Sequence, residues 1–248
     1  MNMQQQQIWV VIPAAGVGKR MQADRPKQYL SLLGKTVIEH TLDCFLAHPQ
    51  ITGIVIALHP KDPYWQALSI HSDKPVHTVI GGTERSDSVL NALHYLSDKL
   101  LCDANSWVMV HDAARPCLSR HDIDQLIQLV SADDPLGGIL ASPVKDTMKR
   151  SKPHLSPQTD AIPIRIAATE SRENLYHALT PQMFRLQALQ QAVQFAFENN
   201  IAITDDASAM EKQGLSPRLI IGNANNIKIT QASDLALAEF FLSQRGQS

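Results

Sequence analysis

Short apolar segments recur along the chain and are separated by longer stretches of mixed polarity. Segments of this length, bounded by glycine, proline or polar residues, predict buried β-strands. The predicted strands are Ile8–Ile12, Gly53–Leu58, Val76–Ile80, Trp107–Val110, Gly138–Ala141 and Leu219–Ile221. Their spacing leaves room for a helix between most consecutive strands.

The stretches between the strands carry apolar residues at helical spacing. One predicted helical face consists of Val89, Leu90, Leu93 and Leu96, and another of Ile123, Leu126, Ile127 and Val130. Spacings of three and four residues place these side chains on the side of a helix that packs on a sheet. Strands that alternate with such helices predict an α/β fold with a mostly parallel sheet, in which ligands bind beyond the carboxyl ends of the strands.

The region 149–172 departs from this alternation. It contains three prolines and many polar residues, with one short alternating run, Ile162-Pro163-Ile164-Arg165-Ile166. This pattern predicts an extended arm whose apolar side needs cover. A second copy of the protein would provide that cover, whereas an ordinary surface loop is the alternative, and the pattern leaves both open.

The composition fits one core and a single domain over residues 1–248. Of the 248 residues, 44% are hydrophobic and 19% charged, and the net charge of −2 gives no cation excess for a nucleic acid or a membrane surface. Cys44, Cys102 and Cys117 are far apart, which argues against a disulfide framework and a zinc site. The start MNMQQQQ lacks a secretory signal pattern, so a soluble, cytoplasmic protein is expected.

The loop after the first predicted strand has the chemistry of an anion site. It reads Pro13, Ala14, Ala15, Gly16, Val17, Gly18, Lys19 and Arg20. Glycines let backbone N–H groups approach an anion, alanines leave it room, and cations neutralise it. The loop matches neither the Walker nor the dinucleotide pattern, and a tight turn without a ligand is the alternative. Lys27, in Pro26-Lys27-Gln28, adds a cation nearby and favours the phosphate interpretation.

Polar residues also follow other predicted strands. The segment from Gly81 to Ser88 joins a glycine turn to a helix start and suits a base or ribose, although Glu84 and Asp87 are better explained as helix-capping residues. Asp112 could hold magnesium or a sugar hydroxyl and Arg115 a phosphate, or the two could form an ion pair. Lys228 interrupts an apolar run and must reach solvent or an anion.

The chain contains no Ser-His-Asp or Cys-His nucleophile pattern, and its ten histidines show no metal-ligand spacing. Covalent catalysis is therefore not favoured.

Taken in order, the motifs resemble those of the 2-C-methyl-D-erythritol 4-phosphate cytidylyltransferase family, over nearly the whole chain. The matching segments are PAAGVGKRM, PKQYL, GGTERSDSV, VHDAARP, PVKDTMKR, HALTPQ, ITDDASAME and NIKIT. The resemblance implies a modified Rossmann-like α/β fold with flanking helices and a protruding β-arm over 149–172 that joins two subunits into a homodimer. It also implies transfer of CMP from CTP to methylerythritol phosphate with release of pyrophosphate, assisted by Mg²⁺ or another divalent cation.

The same resemblance assigns roles to individual residues. Arg20 and Lys27 become the catalytic cations. Contacts to CTP and its magnesium fall on Pro13, Ala14, Ala15, Gly16, Gly18, Lys19, Gly81, Gly82, Ser88 and Asp112, with Asp112 also a possible metal ligand. The acceptor residues are Arg115, Thr147, Arg172, Thr204 and Lys228. The arm is long for the family, which loosens the match of Arg172.

The implied nucleophile is an acceptor phosphate oxygen that is already ionised at neutral pH, so no general base is required. The sequence leaves three other functions open. One is a ribitol 5-phosphate cytidylyltransferase with a different acceptor pocket, and another is a sugar-1-phosphate nucleotidyltransferase, against which the short loop and PKQYL argue. The third, of another class, is a nucleotide-binding module without turnover.

Overall fold

The computed structural model describes residues 6–16, 24–132, 134–152 and 164–245. The strands are β1 Ile8–Ala14, β2 Ser31–Leu32, β3 Lys35–Thr36, β4 Gly53–Leu58, β5 Val76–Ile80, β6 Trp107–Val110, β7 Gly138–Pro143, β8 Met148–Ser151, β9 Ile166–Glu170, β10 Tyr176–Arg185 and β11 Arg218–Ile221. The helices are α1 Val37–Leu46, α2 Arg85–His94, α3 Arg120–Ser131, α4 Leu186–Glu198, α5 Asp206–Lys212 and α6 Ala232–Arg245. Among the described residues, no helix is long and apolar enough to cross a membrane.

The central sheet has seven strands in the order β11-β7-β10-β6-β1-β4-β5. All neighbours pair in parallel except β10, which runs antiparallel to both β6 and β7. The predicted α/β fold with a mostly parallel sheet is thus confirmed, and the six predicted strands correspond to β1, β4, β5, β6, β7 and β11. The apolar pattern did not predict β10, because its sequence YHALTPQMFR mixes polar residues with a proline.

Both faces of the sheet are buried, which explains why its central strands are apolar throughout. Along β1, Ile8, Val10 and Ile12 face one core, together with residues of α1 and α3. Trp9 and Val11 face the other core, where α2, α4 and α5 pack. Because successive side chains of a strand point to opposite faces, one strand supplies both layers.

The predicted helical faces lie where expected. Val89, Leu90, Leu93 and Leu96 are buried in the second core, and Ile123, Leu126 and Ile127 in the first. The side chain of Val130 lies outside the described part of the chain.

The predicted arm corresponds to β8 and β9, which pair antiparallel as a separate two-stranded sheet. All four residues of β8 are exposed, and Ile164 and Ile166 are 75% and 63% exposed. The intervening residues 153–163, which include Ile162 and Pro163, lie outside the described residues. Dimerisation through the arm stays a prediction.

Candidate active site

A cavity of about 150 Å³ opens at the carboxyl edge of the sheet, where β1 and β6 end. The parallel strands bring these ends together although their sequences are far apart. Residues from five predicted motifs line it, namely Pro13, Ala14, Ala15, Gly16, Lys27, Gly82, Ser88, Asp112 and Lys228. The structure therefore assembles most of the predicted CTP contacts around one cavity.

Gln28, a buried residue of the PKQYL segment, holds the start of the predicted phosphate loop in place through hydrogen bonds. Its side-chain Nε2 donates to the carbonyls of Ala14 at 2.9 Å and Gly16 at 3.2 Å. A Cβ added to Gly16 would meet no atom of the described residues within 4 Å, so this part of the chain leaves space beside the backbone there. Lys27 donates from Nζ to the carbonyl of Ile229 at 2.8 Å. The predicted contacts Gly18, Lys19 and Arg20 lie outside the described residues.

The glycines at 81 and 82 are needed for packing within the chain. A Cβ at Gly81 would lie 2.6 Å from the Cβ of Ala15 and 2.8 Å from Ser88 Oγ, and one at Gly82 would lie 2.2 Å from the Cβ of Asp87. The N–H of Gly82 donates to Ser88 Oγ at 3.1 Å. These contacts hold the β1 loop against the start of α2. A role of these residues in cytidine binding stays a prediction.

Asp112, directly after β6, is at the centre of a cation cluster. Arg85 Nε donates to its Oδ1 at 3.1 Å, while Arg115 Nε and Lys228 Nζ lie 3.3 and 2.9 Å from its Oδ2. Arg85 also binds Asp206 through both terminal nitrogens, at 3.1 and 2.8 Å. Of the alternatives that the sequence left open, the structure shows the ion pair between Asp112 and Arg115. The anionic group that Lys228 contacts is the carboxylate of Asp112.

The electrostatics of this cluster favour the charged forms of Asp112 and Arg85. Burial acts to raise the pKa of Asp112, but the opposing fields of Arg85, Lys228 and Arg115 hold that pKa far below its usual value. Burial acts to lower the pKa of Arg85, yet Asp206 and Asp112 raise it overall. The pKa of Arg115 is lowered, chiefly by burial. The Asp112 carboxylate therefore holds three cationic side chains, those of Arg85, Arg115 and Lys228, and together they favour the binding of an anionic substrate.

A buried hydrogen-bond chain fixes the turn that carries Asp112. His111 Nε2–H donates to the carbonyl of Arg115 at 3.1 Å, and its Nδ1 accepts from the hydroxyl of Thr180 at 3.0 Å. Thr180 Oγ1 in turn accepts from the N–H of Asp112 at 3.1 Å, and Asn226 Nδ2 donates to the carbonyl of Thr180 at 2.7 Å. Burial lowers the pKa of His111 to about 4, so the ring is neutral at pH 7 and this pattern requires the Nε2–H tautomer.

The predicted acceptor residues fall into two groups. Arg115, Thr204 and Lys228 line a second cavity of about 240 Å³, and Lys228, Asp112 and Arg85 also line the first. Thr147 and Arg172 are exposed at the base of the arm, and neither lines this cavity. Arg172 donates to the carbonyl of Lys145. A single chain therefore does not bring all five predicted acceptor residues together.

Sequence reasoning overlooked Arg85, the residue that connects the two cavities. It is the first residue of α2, where the positive end of the helix dipole disfavours a cation. An arginine at this unfavourable position was the signal in the sequence, because such a cation requires carboxylate partners. Gln28, Thr180 and Asn226 gave no such signal, because their roles depend on tertiary hydrogen bonds.

The described residues contain no group of three or more His, Cys, Asp or Glu side chains that could hold a metal ion. Among the described residues, Asp112 Oδ1 accepts one hydrogen bond, from Arg85, which leaves it further acceptor capacity, and Asp112 lines both cavities. These residues fit a divalent ion that takes most of its ligands from substrate phosphates and water, with Asp112 as a single carboxylate.

The chain was compared with known proteins. The sequence model of the family described as IspD, 2-C-methyl-D-erythritol 4-phosphate cytidylyltransferase, matches residues 8–244. The Vibrio parahaemolyticus protein of that name is 55% identical over 94% of both chains, and one from Pseudomonas putida KT2440 is 50% identical over 92% of both.

Solved structures agree. A crystal structure of a 4-diphosphocytidyl-2C-methyl-D-erythritol synthase superposes with a TM-score of 0.79 at 34% identity, covering 96% of this chain and 99% of the other. The Francisella tularensis 2-C-methyl-D-erythritol 4-phosphate cytidylyltransferase gives a TM-score of 0.78 at 35% identity, covering 95% and 99%. The chain thus belongs to the 2-C-methyl-D-erythritol 4-phosphate cytidylyltransferase family of nucleotidyltransferases.

Proposed function

We propose that the protein transfers CMP from CTP to 2-C-methyl-D-erythritol 4-phosphate and releases pyrophosphate, a step in isoprenoid precursor synthesis. The observation that carries the proposal is the pair of adjoining cavities that share Asp112, Arg85 and Lys228. One cavity lies beside the glycine loop after β1 and suits a triphosphate. The other is lined by Arg115, Thr204 and Lys228 and suits a phosphorylated polyol.

The chemistry that these residues support is an in-line attack of an acceptor phosphate oxygen on the α-phosphorus of CTP. The oxygen–phosphorus bond that forms replaces the bond to pyrophosphate, which leaves with its electron pair. Lys27, together with Arg20, stabilises the negative charge that shifts toward the leaving group. Arg115 and Lys228 hold the acceptor phosphate, and Asp112 fixes the orientation of both cations. Because the nucleophile is already ionised, positioning and charge stabilisation carry the catalysis.

A divalent cation, Mg²⁺ or another, is part of the proposal. When bound, it neutralises the triphosphate and lowers the charge on the leaving pyrophosphate. Asp112 is the residue that would contact it.

We also propose a homodimer joined through the arm. Its support is the exposure of apolar side chains on and beside β8 and β9, including Met148, Ile164 and Ile166. A partner would bring Thr147 and Arg172 to an acceptor pocket, which a single chain does not do. No nucleic acid or membrane partner is proposed, and a cytoplasmic location fits three cysteines that form no disulfide.

The first experiment is pyrophosphate release from CTP and Mg²⁺, with methylerythritol phosphate or ribitol 5-phosphate as the acceptor. Release with methylerythritol phosphate alone supports the proposal. Release with ribitol 5-phosphate alone would keep the chemistry and overturn the acceptor assignment. Failure with both acceptors, with CTP still bound in calorimetry, would instead support a nucleotide-binding module.

A further inference from the structure

Gln182 is a buried polar residue of β10 that the proposed mechanism does not use. It pairs with Val110 of β6 and is 1% exposed. Its Nε2 donates to Asp205 Oδ2 at 2.7 Å and, more weakly, to the carbonyl of Leu179 at 3.4 Å. Its Oε1 accepts from the N–H of Ala207 at 2.7 Å. Both ends of this amide are therefore engaged, and the two shorter hydrogen bonds go to the start of α5.

The capping box at the start of α5 is complete without Gln182. Asp205 Oδ1 accepts from the N–H of Ser208 at 2.9 Å, and Ser208 Oγ accepts from the N–H of Asp205 at 3.2 Å. This reciprocal pair satisfies the N–H groups of Asp205 and Ser208, while Gln182 satisfies that of Ala207. Gln182 adds a different connection, because it joins the capped helix start to the sheet. Together with Arg85, which binds both Asp206 and Asp112, it determines where the helix start lies relative to the strand ends.

That position matters for the second cavity. Thr204 precedes the cap and lines the cavity together with Arg115 and Lys228, and Gln182 and Asp205 line it as well. Thr204 has its own link to the helix, since its N–H donates to Ser208 Oγ at 3.0 Å. A shift of the helix start would therefore move Thr204 with it and change the width of the cavity.

We propose that Gln182 is a positioning residue that sets the distance between Thr204 and the cation pair Arg115 and Lys228, and so sets affinity for the phosphorylated acceptor. This inference rests on the proposed function. Thr180, two residues earlier on β10, holds the opposite wall through the N–H of Asp112. One strand thus contacts both Asp112 and the start of α5, and Gln182 holds the side of the cavity that carries Thr204.

The test measures pyrophosphate release from CTP while each substrate is varied. Gln182→Met keeps a side chain of similar length and removes both short hydrogen bonds. The Michaelis constant for methylerythritol phosphate should rise about tenfold, as expected if the displaced Thr204 loses its hydrogen bond to the charged acceptor. The Michaelis constant for CTP should change by less than about twofold, because Gln182 does not line the CTP cavity.

The control is Asp134→Ala, which removes a buried carboxylate paired with Arg218 at 2.6 Å, near the amino ends of β7 and β11. It should lower the melting temperature and leave both Michaelis constants unchanged. If it raised the acceptor constant as much as Gln182→Met does, the effect would be one of general destabilisation and the proposal would be wrong.

Gln182→Glu provides a further measurement, the pH dependence of the Michaelis constant for the acceptor. A purely structural role of Gln182 would leave that dependence unchanged. The protonated carboxyl of the variant can donate to Asp205 and accept from Ala207, as the amide does, whereas its ionised form repels Asp205. Burial, Asp205 and Asp112 raise the pKa of this carboxyl, and Arg85, Arg115 and Lys228 across the cavity oppose that rise. The Michaelis constant of the variant for methylerythritol phosphate, divided by that of the wild type, should fall as the pH is lowered from about 8 to about 6. A ratio independent of pH would count against the proposal.

Hydrogen exchange separates this inference from the proposed function. In Gln182→Met, amides of residues 204–208 should exchange faster while those of α3 stay unchanged, whether or not the protein turns over substrate. Equal acceleration throughout the sheet would overturn the positioning role. An active wild type with an unchanged acceptor constant in Gln182→Met would also overturn it, and an inactive wild type would overturn the proposed function and the acceptor role together.

Discussion

Arg85 and Asp206 form a bidentate ion pair in which both terminal guanidinium nitrogens contact the carboxylate, at 3.1 and 2.8 Å. Each is the first residue of its helix, Arg85 of α2 and Asp206 of α5. The helix dipole disfavours the cation and favours the carboxylate at that position. Since Arg85 also contacts Asp112, one guanidinium joins the starts of two helices to the end of β6.

The first prediction concerns this pair. Arg85→Met should lower the free energy of unfolding by about 3 kcal/mol, because it leaves the Asp206 carboxylate, whose side chain is 2% exposed, without its cation. The Arg85→Met, Asp206→Asn double variant should be more stable than the sum of the single effects predicts. Urea unfolding of all four proteins gives the coupling energy.

Arg120→Met is the matched control, because Arg120 is also the first residue of its helix and pairs with Asp124, but both side chains are exposed, at 69% and 47%. Its cost should stay near or below about 1 kcal/mol. Equal costs for the two arginine variants, or strict additivity in the cycle, would show that the Arg85 pair is no stronger than a surface pair.

The second prediction follows from the neutral, fully buried His111. Its folded pKa of about 4 lies below the usual value of 6.5, so between these values the unfolded chain binds more protons. The contribution of the neutral His111 to the free energy of unfolding is therefore fully present above about pH 6.5. It is lost as the pH falls toward 4, by up to roughly 3 kcal/mol. Urea unfolding at pH 7, 6 and 5 measures the slope. His111→Asn should flatten the slope, and an unchanged slope would assign the loss to other groups.

The sequence predicted the fold where burial dictates it. Strands such as Gly53–Leu58 are apolar throughout because both faces of the sheet are covered, and that pattern is local. It failed at β10, whose polar residues Thr180 and Gln182 are buried because they hydrogen-bond to distant segments. The roles of the site residues came from motifs, whereas the contact between Arg85 and Asp206, 121 positions apart, exists only in the folded chain.

The third prediction concerns Lys27. Lys27→Ala should lower kcat by about 10²–10³, as the loss of one preorganised contact to the transition state does. The melting temperature should stay nearly unchanged, because the side chain is half-buried and a hydrogen bond such as that to the carbonyl of Ile229 contributes only about 1 kcal/mol. Lys35→Ala removes the same charge from a surface pair with Asp43 and should leave kcat unchanged. A normal kcat in Lys27→Ala would refute the catalytic assignment.

The last prediction tests whether the arm completes the acceptor site of a partner. Arg172→Ala and Lys228→Met should each raise the Michaelis constant for methylerythritol phosphate, because each removes a cation proposed to bind the acceptor phosphate. Lys228 lines the acceptor cavity of its own chain, whereas Arg172 does not. If Arg172 acts across the dimer, a mixed dimer of the two variants contains one site with both residues intact and one with neither.

Co-expression of the two variants with different affinity tags, followed by tandem purification, isolates that mixed dimer. It should regain about half of the wild-type activity at low acceptor concentration, since one of its two sites is complete, while each variant homodimer stays impaired. If Arg172 and Lys228 instead serve the same site from one chain, every site of the mixed dimer lacks one cation and no activity returns. A monomer on a sizing column would contradict the arm-mediated dimer directly, and wild-type acceptor kinetics in Arg172→Ala would remove that residue from the acceptor site.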